Sequence, residues 1–301
     1  MTFRQGNMAQ AHREGRADVA FANMEPVPDR PVLRAGDDLV VADLHIGKEE
    51  ELRREGFTLP SQTKKMAEEI ASIMRELRPK RLVILGDLKH EIPRFTGLER
   101  RDVPRFFDLL EGVAPEVHLV QGNHDGNIAY LLPRWVTLHG PEGYRRDDIA
   151  YIHGHAWPSP EIMEARTLLM GHNHPTLLFP DRLGPRTYER CWVRAPFIAG
   201  HPRYPRHPED LVLVPAFNEF SGGTPVNERG RRFLGPILKS SMVGMEGAQV
   251  YLLNGTYLGR LEGMMVERRA RKGSGRPRPP DQGSEGQDPP ASAEGDGPGR
   301  D

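Results

Sequence analysis

Short apolar runs recur along the chain, and each ends at a glycine, an aspartate or a histidine. Runs of this length, rich in valine, isoleucine and leucine, are typical of buried strands. In chain order they are DLVVAD ending at Asp43, RLVILGD at Asp87, VHLVQGN at Asn123, IAYIHG with His153, and TLLMGH at His172. The pattern therefore predicts five buried strands, each followed by a polar residue.

The segment between the first two runs predicts a helix over residues 61–78. Its apolar residues fall on one face at helical spacing, and Pro79 ends the pattern. They are Met66, Ile70, Ile73, Met74 and Leu77. A weaker helix is predicted around Val103, Phe106, Phe107 and Leu110. Strands that alternate with helices indicate a layered α/β core.

The last third of the chain favours strands, at residues 187–194 and 211–214 and in a hairpin around Asn254-Gly255. From residue 268 to 301 the chain turns to glycine, proline, serine and mixed charge, which predicts a disordered C-terminal tail. Residues 1–20 show no clear period, so order and disorder both stay open there. One folded domain is expected over residues 21–267.

Composition excludes several classes of protein. The single Cys191 cannot form a disulfide within the chain, and no N-terminal segment has the pattern of a secretion signal, so a cytoplasmic protein is expected. No stretch approaches the roughly 20 apolar residues that span a bilayer, so no membrane role is expected. With 41 basic and 42 acidic residues, the chain is not built to coat nucleic acid, although a local basic groove stays open.

Five short polar motifs follow the predicted strands and contain seven of the 12 histidines. They are Asp43-Leu44-His45, GDLKHE at 86–91, GNHD at 122–125, His153-Gly154-His155 and GHNH at 171–174. In layered α/β folds, sites are built at the carboxyl ends of strands. Carboxylate oxygen mixed with imidazole nitrogen suits Mn, Fe, Zn and similar divalent ions, whereas magnesium and calcium prefer oxygen alone. The clustering predicts a divalent metal site.

Two of these motifs place ligand candidates two residues apart. Asp43 and His45, like His172 and His174, would point the same way on an extended strand, but a bent exit from the strand could also aim both at one site. The glycine that precedes Asp87, like those before Asn123 and His172, would allow such exits. A single such motif is weak evidence; five in order, each after an apolar run, are strong evidence.

As an ordered set, Asp-x-His, Gly-Asp, Gly-Asn-His-Asp, His and Gly-His-x-His resemble the signature of the calcineurin-like metallophosphoesterase superfamily over residues 43–175. More narrowly, ADLHIGKE, EGFTLP, GDLKHE, GNHD, GHNHP and PAFNEFSGGTPVN are similar to SbcD-related, ICC-like phosphoesterases, a group with members encoded beside DNA ligases. The resemblance implies a four-layer α/β/β/α sandwich. It also implies hydrolysis of a phosphate ester by a two-metal-activated hydroxide.

The resemblance also implies a ligand set. One ion would be held by Asp43, His45, Asp87 and His174, and the second by Asp87, Asn123, His153 and His172. Asp87 would then bridge two divalent ions, with Mn expected first and Fe, Zn, Ni or Mg as alternatives. Spacing alone does not choose between His153 and His155 as the ligand, although the family pattern favours His153.

Other motif residues receive roles from the same resemblance. His124 would act as general acid for the leaving oxygen or as an electrostatic clamp, and Asp125 would orient it by accepting its other N–H. The remaining candidates would support ligands from behind or contact substrate; they are Lys89, His90, Glu91 and His155. For Glu91 an ordinary surface carboxylate is an equal alternative.

Two further features are ambiguous. The PAFNEFSGG stretch at 215–223 could cradle a phosphate through backbone N–H groups, although a tight turn is favoured. Trp135, Trp157 and Trp192 could stack on bases, although packing is the usual fate of tryptophan.

The expected function is hydrolysis of a phosphodiester of a nucleotide or nucleic acid. A non-catalytic or partner-dependent binding module on the same fold is the alternative. Nucleic acid as a partner and self-association both stay open.

Overall fold

Two β-sheets form the centre of the protein. The computed structural model describes residues 24–180 and 186–268, so the predicted N-terminal segment and, apart from its first residue, the predicted tail lie outside the described residues. The first sheet has six strands in sequence order: β1 (Met24–Pro26), β2 (Leu33–Ala35), β3 (Asp38–Val41), β4 (Arg81–Ile84), β5 (Glu116–Val120) and β6 (Val136–His139). Strands β3 to β6 run parallel.

Three helices follow strands of this sheet: α1 (Lys48–Arg54), α2 (Thr63–Leu77) and α3 (Gly97–Asp108). Helix α2 lies within the predicted range and ends where Arg78 takes a left-handed conformation at φ 49°. Helix α3 begins earlier than its apolar residues suggest, because Thr96 and Glu99 form a capping box at its N-terminus. The apolar faces of α2 and α3 pack against the first sheet.

The second sheet has nine strands, and its path runs in the order β13-β10-β11-β12-β9-β8-β7, with β14 paired to β11 and β15 to β14. The strands are β7 (Tyr144–Arg146), β8 (Ile149–Ile152), β9 (Thr167–Met170), β10 (Pro175–Phe179), β11 (Thr187–Pro196), β12 (Asp210–Leu213), β13 (Thr224–Pro225), β14 (Gln249–Leu252) and β15 (Tyr257–Arg260). Strands β14 and β15 form the predicted hairpin around Asn254-Gly255.

Alternating side chains of each central strand are buried on opposite faces. In β3, Leu39 and Val41 pack toward the helices, whereas Val40 belongs to a cluster that includes Leu169 of β9 and Trp192 of β11. A strand covered on both faces buries every residue, which is why these runs are continuously apolar. The shared cluster fixes one sheet against the other.

The outer face of the second sheet is covered by a thin layer. It consists of the one-turn helix α4 (Pro236–Lys239), a 3-10 turn at Ile162–Glu164 and loops that pack on the sheet's outer cluster. The expected four-layer α/β/β/α order is therefore confirmed, with far less helix in the fourth layer than in the first. Among the described residues, no helix is long and apolar enough to cross a membrane.

A buried polar network also connects the two sheets. Asp38 of β3 accepts a hydrogen bond from Arg81 of β4 and another from the hydroxyl of Tyr151 of β8 at 2.5 Å. All three side chains are nearly inaccessible to solvent. Because a buried carboxylate is costly unless its oxygens are paired, each of these bonds holds the network in place.

Replacing Tyr151 with phenylalanine is expected to lower the free energy of unfolding by about 1–3 kcal/mol, because one buried oxygen of Asp38 loses its donor. Urea titration followed by circular dichroism measures this. Tyr188→Phe is the matched control, since Tyr188 is 50% exposed. Equal stability of the two variants would show that the hydroxyl of Tyr151 does not stabilise the sheet packing.

Candidate metal centre

The polar motifs lie just past the carboxyl ends of parallel strands in both sheets. The residues after β3 and β4 come from the first sheet, and those after β8 and β9 from the second. Five of the predicted ligands have a left-handed backbone: Asp43, His45, Asp87, His172 and His174, with φ between 40° and 67°. This conformation is uncommon outside glycine. The bent exit, not the extended strand, therefore brings residues two apart to one site.

Two glycines allow the loops to approach closely. A Cβ atom on Gly122 would lie 2.3 Å from the backbone nitrogen and Oδ1 of Asp87. A Cβ atom on Gly86, at φ 72°, would lie 2.6 Å from Nδ1 of His153. Both positions need glycine because the neighbouring side chain occupies the space that a larger residue would fill.

The predicted ligands form two clusters. The first cluster is Asp43, His45 and His174, and the second cluster is Asp87, His153 and His172; within each, one ligand atom per residue lies within 4.8 Å of the others. In the first, Nε2 of His174 is 3.3 Å from Nε2 of His45 and 3.4 Å from Oδ1 of Asp43. In the second, Nε2 of His153 is 3.0 Å from Nδ1 of His172.

Asp87 connects the two clusters. Its Oδ1 accepts the backbone N–H of His124 at 2.9 Å. Its Oδ2 lies 3.6 Å from Nε2 of His45 and 3.3 Å from Nε2 of His153. One oxygen of a buried carboxylate therefore faces both groups of ligand atoms.

The donor atoms of the second cluster fit a cation. His153 places Nδ1 2.9 Å from the carbonyl oxygen of Leu85, and donation there leaves the lone pair of a neutral ring on Nε2. That lone pair faces Oδ2 of Asp87, Nδ1 of His172 and, at 3.0 Å, Oδ1 of Asn123. Four electron-pair donors of mixed nitrogen and oxygen type thus converge, which suits Mn, Fe, Zn or a similar divalent ion.

The ionisation of His45, His172 and Asp43 agrees with this fit. Burial lowers the pKa of His45 to about 3 and, with the nearby charge of His153, that of His172 to about 4, so both rings are neutral as metal ligands must be. Burial alone raises the pKa of Asp43, yet the imidazoles of His174 and His153 hold it below its usual range.

His153 carries the proton that a cation would replace. Burial alone lowers the pKa of His153, but the carboxylates of Asp87 and Asp43 raise it to about 9. The proton lies in a site rich in negative charge, and binding of a divalent cation there would release it.

A chain of hydrogen bonds supports His45 from behind. Nδ1 of His45 lies 3.2 Å from Nδ1 of His90, and Nε2 of His90 is bonded to the carboxylate of Glu51 in α1. An ionised carboxylate only accepts, so a neutral His90 donates from Nε2 to Glu51 and accepts from His45. His45 then keeps the lone pair of Nε2 for the first cluster. Histidines that bind metals are commonly oriented in this way.

The partner predicted for His124 is wrong. Its Nδ1 donates to the carbonyl oxygen of His90, not to Asp125. Asp125 is fully buried and accepts the backbone N–H groups of Gly122 at 2.9 Å and Lys89 at 3.3 Å. Asp125 therefore fixes the loops on either side of Asp87 instead of orienting His124.

Neither residue flanking His90 faces the centre. Lys89 is fully buried and its amino group donates to the carbonyl oxygen of Glu91, which leaves no donor facing a substrate; its other expected role, support of the ligands from behind, stays a prediction. The carboxylate of Glu91 pairs with Arg54 at 2.8 Å, which is the surface role that the sequence left as an alternative. His155 is half-buried, and its ring centre lies 5.3 Å from that of His153, outside both clusters.

Besides Glu51, sequence reasoning missed the support that two further residues give to the centre. Glu99 is buried and accepts the backbone N–H groups of His90 at 2.9 Å and Glu91 at 2.6 Å; its capping-box spacing from Thr96 was a readable signal. Asn218, in the PAFNEFSGG stretch, donates to the carbonyl oxygen of Leu44 at 2.9 Å. This stretch therefore braces the loop that carries Asp43 and His45.

Comparison with known proteins identifies a family match. A family model described as calcineurin-like phosphoesterase matches residues 39–223. Among solved structures, nuclease MPE of Pseudomonas putida is 21% identical over 78% of this chain and 100% of that one, with a TM-score of 0.48. YfcE, a phosphoesterase from E. coli, is 15% identical over 74% and 97%, with a TM-score of 0.36. Neither likeness is close enough to bear on activity, and no curated protein matches significantly.

Removing the carboxylate of Glu51 is expected to weaken binding of Mn²⁺ about tenfold, because His45 loses the support that fixes its tautomer. Isothermal titration of metal-free Glu51→Ala measures this, and Glu51→Gln should recover most of the affinity because its amide oxygen still accepts from His90.

Glu50→Ala is the matched control, because Glu50 forms an ion pair with Arg53 on the same helix, as Glu51 does with Lys48. If both alanine variants bind the metal as the unmodified protein does, the chain from Glu51 to His45 does not position a ligand.

Proposed function

The chain belongs to the calcineurin-like phosphoesterase family and is a hydrolase of phosphate esters; from this premise we propose that it cleaves phosphodiesters of nucleotides or nucleic acid with two divalent cations. The observation that carries the proposal is the position of Asp87. Its Oδ2 lies 3.6 Å from a nitrogen of His45 and 3.3 Å from a nitrogen of His153, so one carboxylate oxygen faces ligand atoms of both clusters.

Two ligand sets follow in this proposal. Asp43, His45, Asp87 and His174 hold one ion, and Asp87, Asn123, His153 and His172 hold the other. Cations bound there would lower the pKa of water and neutralise charge on the phosphate. Mn²⁺ is the proposed ion, since the mixed oxygen and nitrogen donors suit it better than magnesium. His153 rather than His155 is the proposed ligand because its ring belongs to the second cluster.

His124 is the proposed proton donor to the leaving oxygen. Its Nδ1 donates to the carbonyl oxygen of His90, so Nε2 is the ring nitrogen available to give a proton to substrate. Nε2 lies 3.9 Å from Oδ2 of Asp87, and the side chain is 21% exposed. The ring therefore lies at the edge of the centre, where a bound phosphate would meet it.

The nucleotide class of substrate is supported by the narrower sequence resemblance. ADLHIGKE and PAFNEFSGGTPVN are similar to SbcD-related phosphoesterases, and a kinship with that group is part of the proposal. Nearly equal numbers of basic and acidic residues favour a short stretch of substrate over a long polymer wrapped on the surface. The cytoplasmic location stays a prediction.

Metal-free protein is expected to be inactive and to regain cleavage of bis-p-nitrophenyl phosphate when Mn²⁺ is restored, with Mg²⁺, Zn²⁺ and Ni²⁺ compared in parallel. Asp87→Ala should stay at background with every metal, because both sites lose a ligand. Asp108→Ala, which removes an exposed carboxylate from the end of α3, is the control. Release of p-nitrophenolate measures the rate.

The same assay separates the alternatives. Preference for the diester over p-nitrophenyl phosphate supports the phosphodiester assignment. Stoichiometric metal binding without cleavage of either ester would contradict the proposed activity and favour the non-catalytic or partner-dependent module.

His124→Asn is expected to slow hydrolysis of a phenyl phosphodiester by about 10²–10⁴-fold, the range of general acid catalysis, because phenolate is a poor leaving group without a proton. Hydrolysis of the p-nitrophenyl analogue should suffer much less, since p-nitrophenolate leaves unprotonated. Steady-state kinetics on both esters measures the difference. Equal losses would assign His124 to electrostatic clamping of the phosphate instead.

A further inference from the structure

A pocket opens beside the second cluster. It has a volume of about 400 Å³, within the range of small-ligand sites, and His172 belongs both to its lining and to the second cluster. The remaining lining residues are His155, Ala156, Trp157, Leu234, Gly235, Pro236 and Lys239. A phosphate bound at the second cluster would therefore lie next to this pocket.

One wall of the pocket is fixed to the metal loops. The buried side chain of Asn173, between His172 and His174, accepts the backbone N–H of Leu234 at 2.9 Å and donates to its carbonyl oxygen at 3.3 Å. A Cβ atom on Gly235 would lie 1.9 Å from the carbonyl oxygen of Gly154, so the wall also touches the loop of His153. The pocket is thus part of the centre's framework.

The lining combines apolar surface with one cation that forms no ion pair with the described residues. Trp157, Leu234 and Pro236 offer the apolar surface, and the indole of Trp157 is supported by His201, with ring centres 4.9 Å apart. Lys239 is exposed at the end of α4, and among the described residues no carboxylate lies within ion-pair distance of it. Nδ1 of His155 is buried without a hydrogen-bond partner in the described structure.

These groups match a nucleoside that carries a second phosphate. An indole beside a phosphate site provides stacking surface for a base, and a lone lysine pairs with an anion. The unpaired nitrogen of His155 is a buried polar atom that a ligand or water would satisfy. A simple alkyl or aryl ester would use the apolar surface but would leave Lys239 without an anion.

We propose that this pocket binds the nucleoside esterified to the scissile phosphate, with Trp157 against the base and Lys239 paired with the next phosphate along the substrate. The inference rests on the proposed phosphodiesterase function and specifies its substrate: an oligonucleotide or dinucleotide over a simple diester.

Three substrates with one leaving group test the pocket. They are bis-p-nitrophenyl phosphate, the p-nitrophenyl ester of thymidine 5′-phosphate, and the same ester with an added 3′-phosphate. In each, water attacks phosphorus, the bond to p-nitrophenolate breaks, and the other ester stays intact. Differences in kcat/KM therefore report recognition of the retained group, and kcat/KM should rise with each addition.

Trp157→Ala should reduce the gain from the nucleoside about tenfold, within the usual range for base stacking. Lys239→Met should abolish the gain from the 3′-phosphate. Tyr130→Ala and Lys64→Met are matched controls on exposed side chains, at 84% for the residue and 75% for the side chain, and should preserve both gains. Because each gain is a ratio within one variant, partial loss of folded protein cancels.

The outcomes are distinct. Absence of cleavage of every ester by the unmodified protein with metal restored would contradict the proposed function itself. Cleavage with equal kcat/KM for the three esters, or gains that survive in Trp157→Ala and Lys239→Met, would overturn the pocket's role while leaving the phosphodiesterase assignment intact.

Discussion

The carboxylate of Asp87 is the interaction on which the arrangement of the centre depends. A buried charge is tolerated only when each oxygen is paired, and here one oxygen accepts the amide of His124 while the other faces His45 and His153. Burial alone raises the pKa of Asp87, but the imidazoles of His153 and His45 hold it well below its usual range. The carboxylate therefore stays ionised between the two clusters, where a cation is the strongest partner it can have.

Holding Asp87 there requires both sheets. His45 follows β3 of the first sheet, whereas His153 follows β8 of the second, so their separation is set by the cluster of side chains packed between the sheets. Packed interiors deform little, which makes this core a rigid spacer. Left-handed conformations at five predicted ligand positions cost free energy, on the order of 1 kcal/mol each, and persist because surrounding bonds such as that of Asn218 to Leu44 fix the loops.

The sequence predicted those parts of the arrangement that depend on residues close together in the chain. Apolar runs located strands β3, β4, β5, β8 and β9 because these strands are buried on both faces, and the motif order located the clusters beyond their ends. Helix α1 and strand β6 were missed because their side chains are partly exposed and leave no apolar run. Most bounds shifted by only a residue or two, although capping by Thr96 moved the start of α3 further.

The supporting contacts were beyond such reasoning, since they join residues that are distant in the chain or point apart. Glu51 reaches His90 across 39 residues, and no local pattern signals it. Asp125 follows His124 directly, yet its carboxylate turns to the amides of Gly122 and Lys89. Adjacent residues in a tight turn project in different directions, so a neighbour in sequence is a poor guide to a partner in space.

Long-range contacts also connect the pocket wall to the two clusters. Asn173 lies between two ligand candidates, His172 and His174, and its amide holds the backbone of Leu234 in the pocket wall. A displacement of that wall would therefore pull on both clusters. Sites whose residues are locked by such contacts hold a substrate more accurately than sites on free loops. In this chain, the loop that carries His172 and His174 also holds the pocket wall, so an occupant of the pocket is placed against the second cluster.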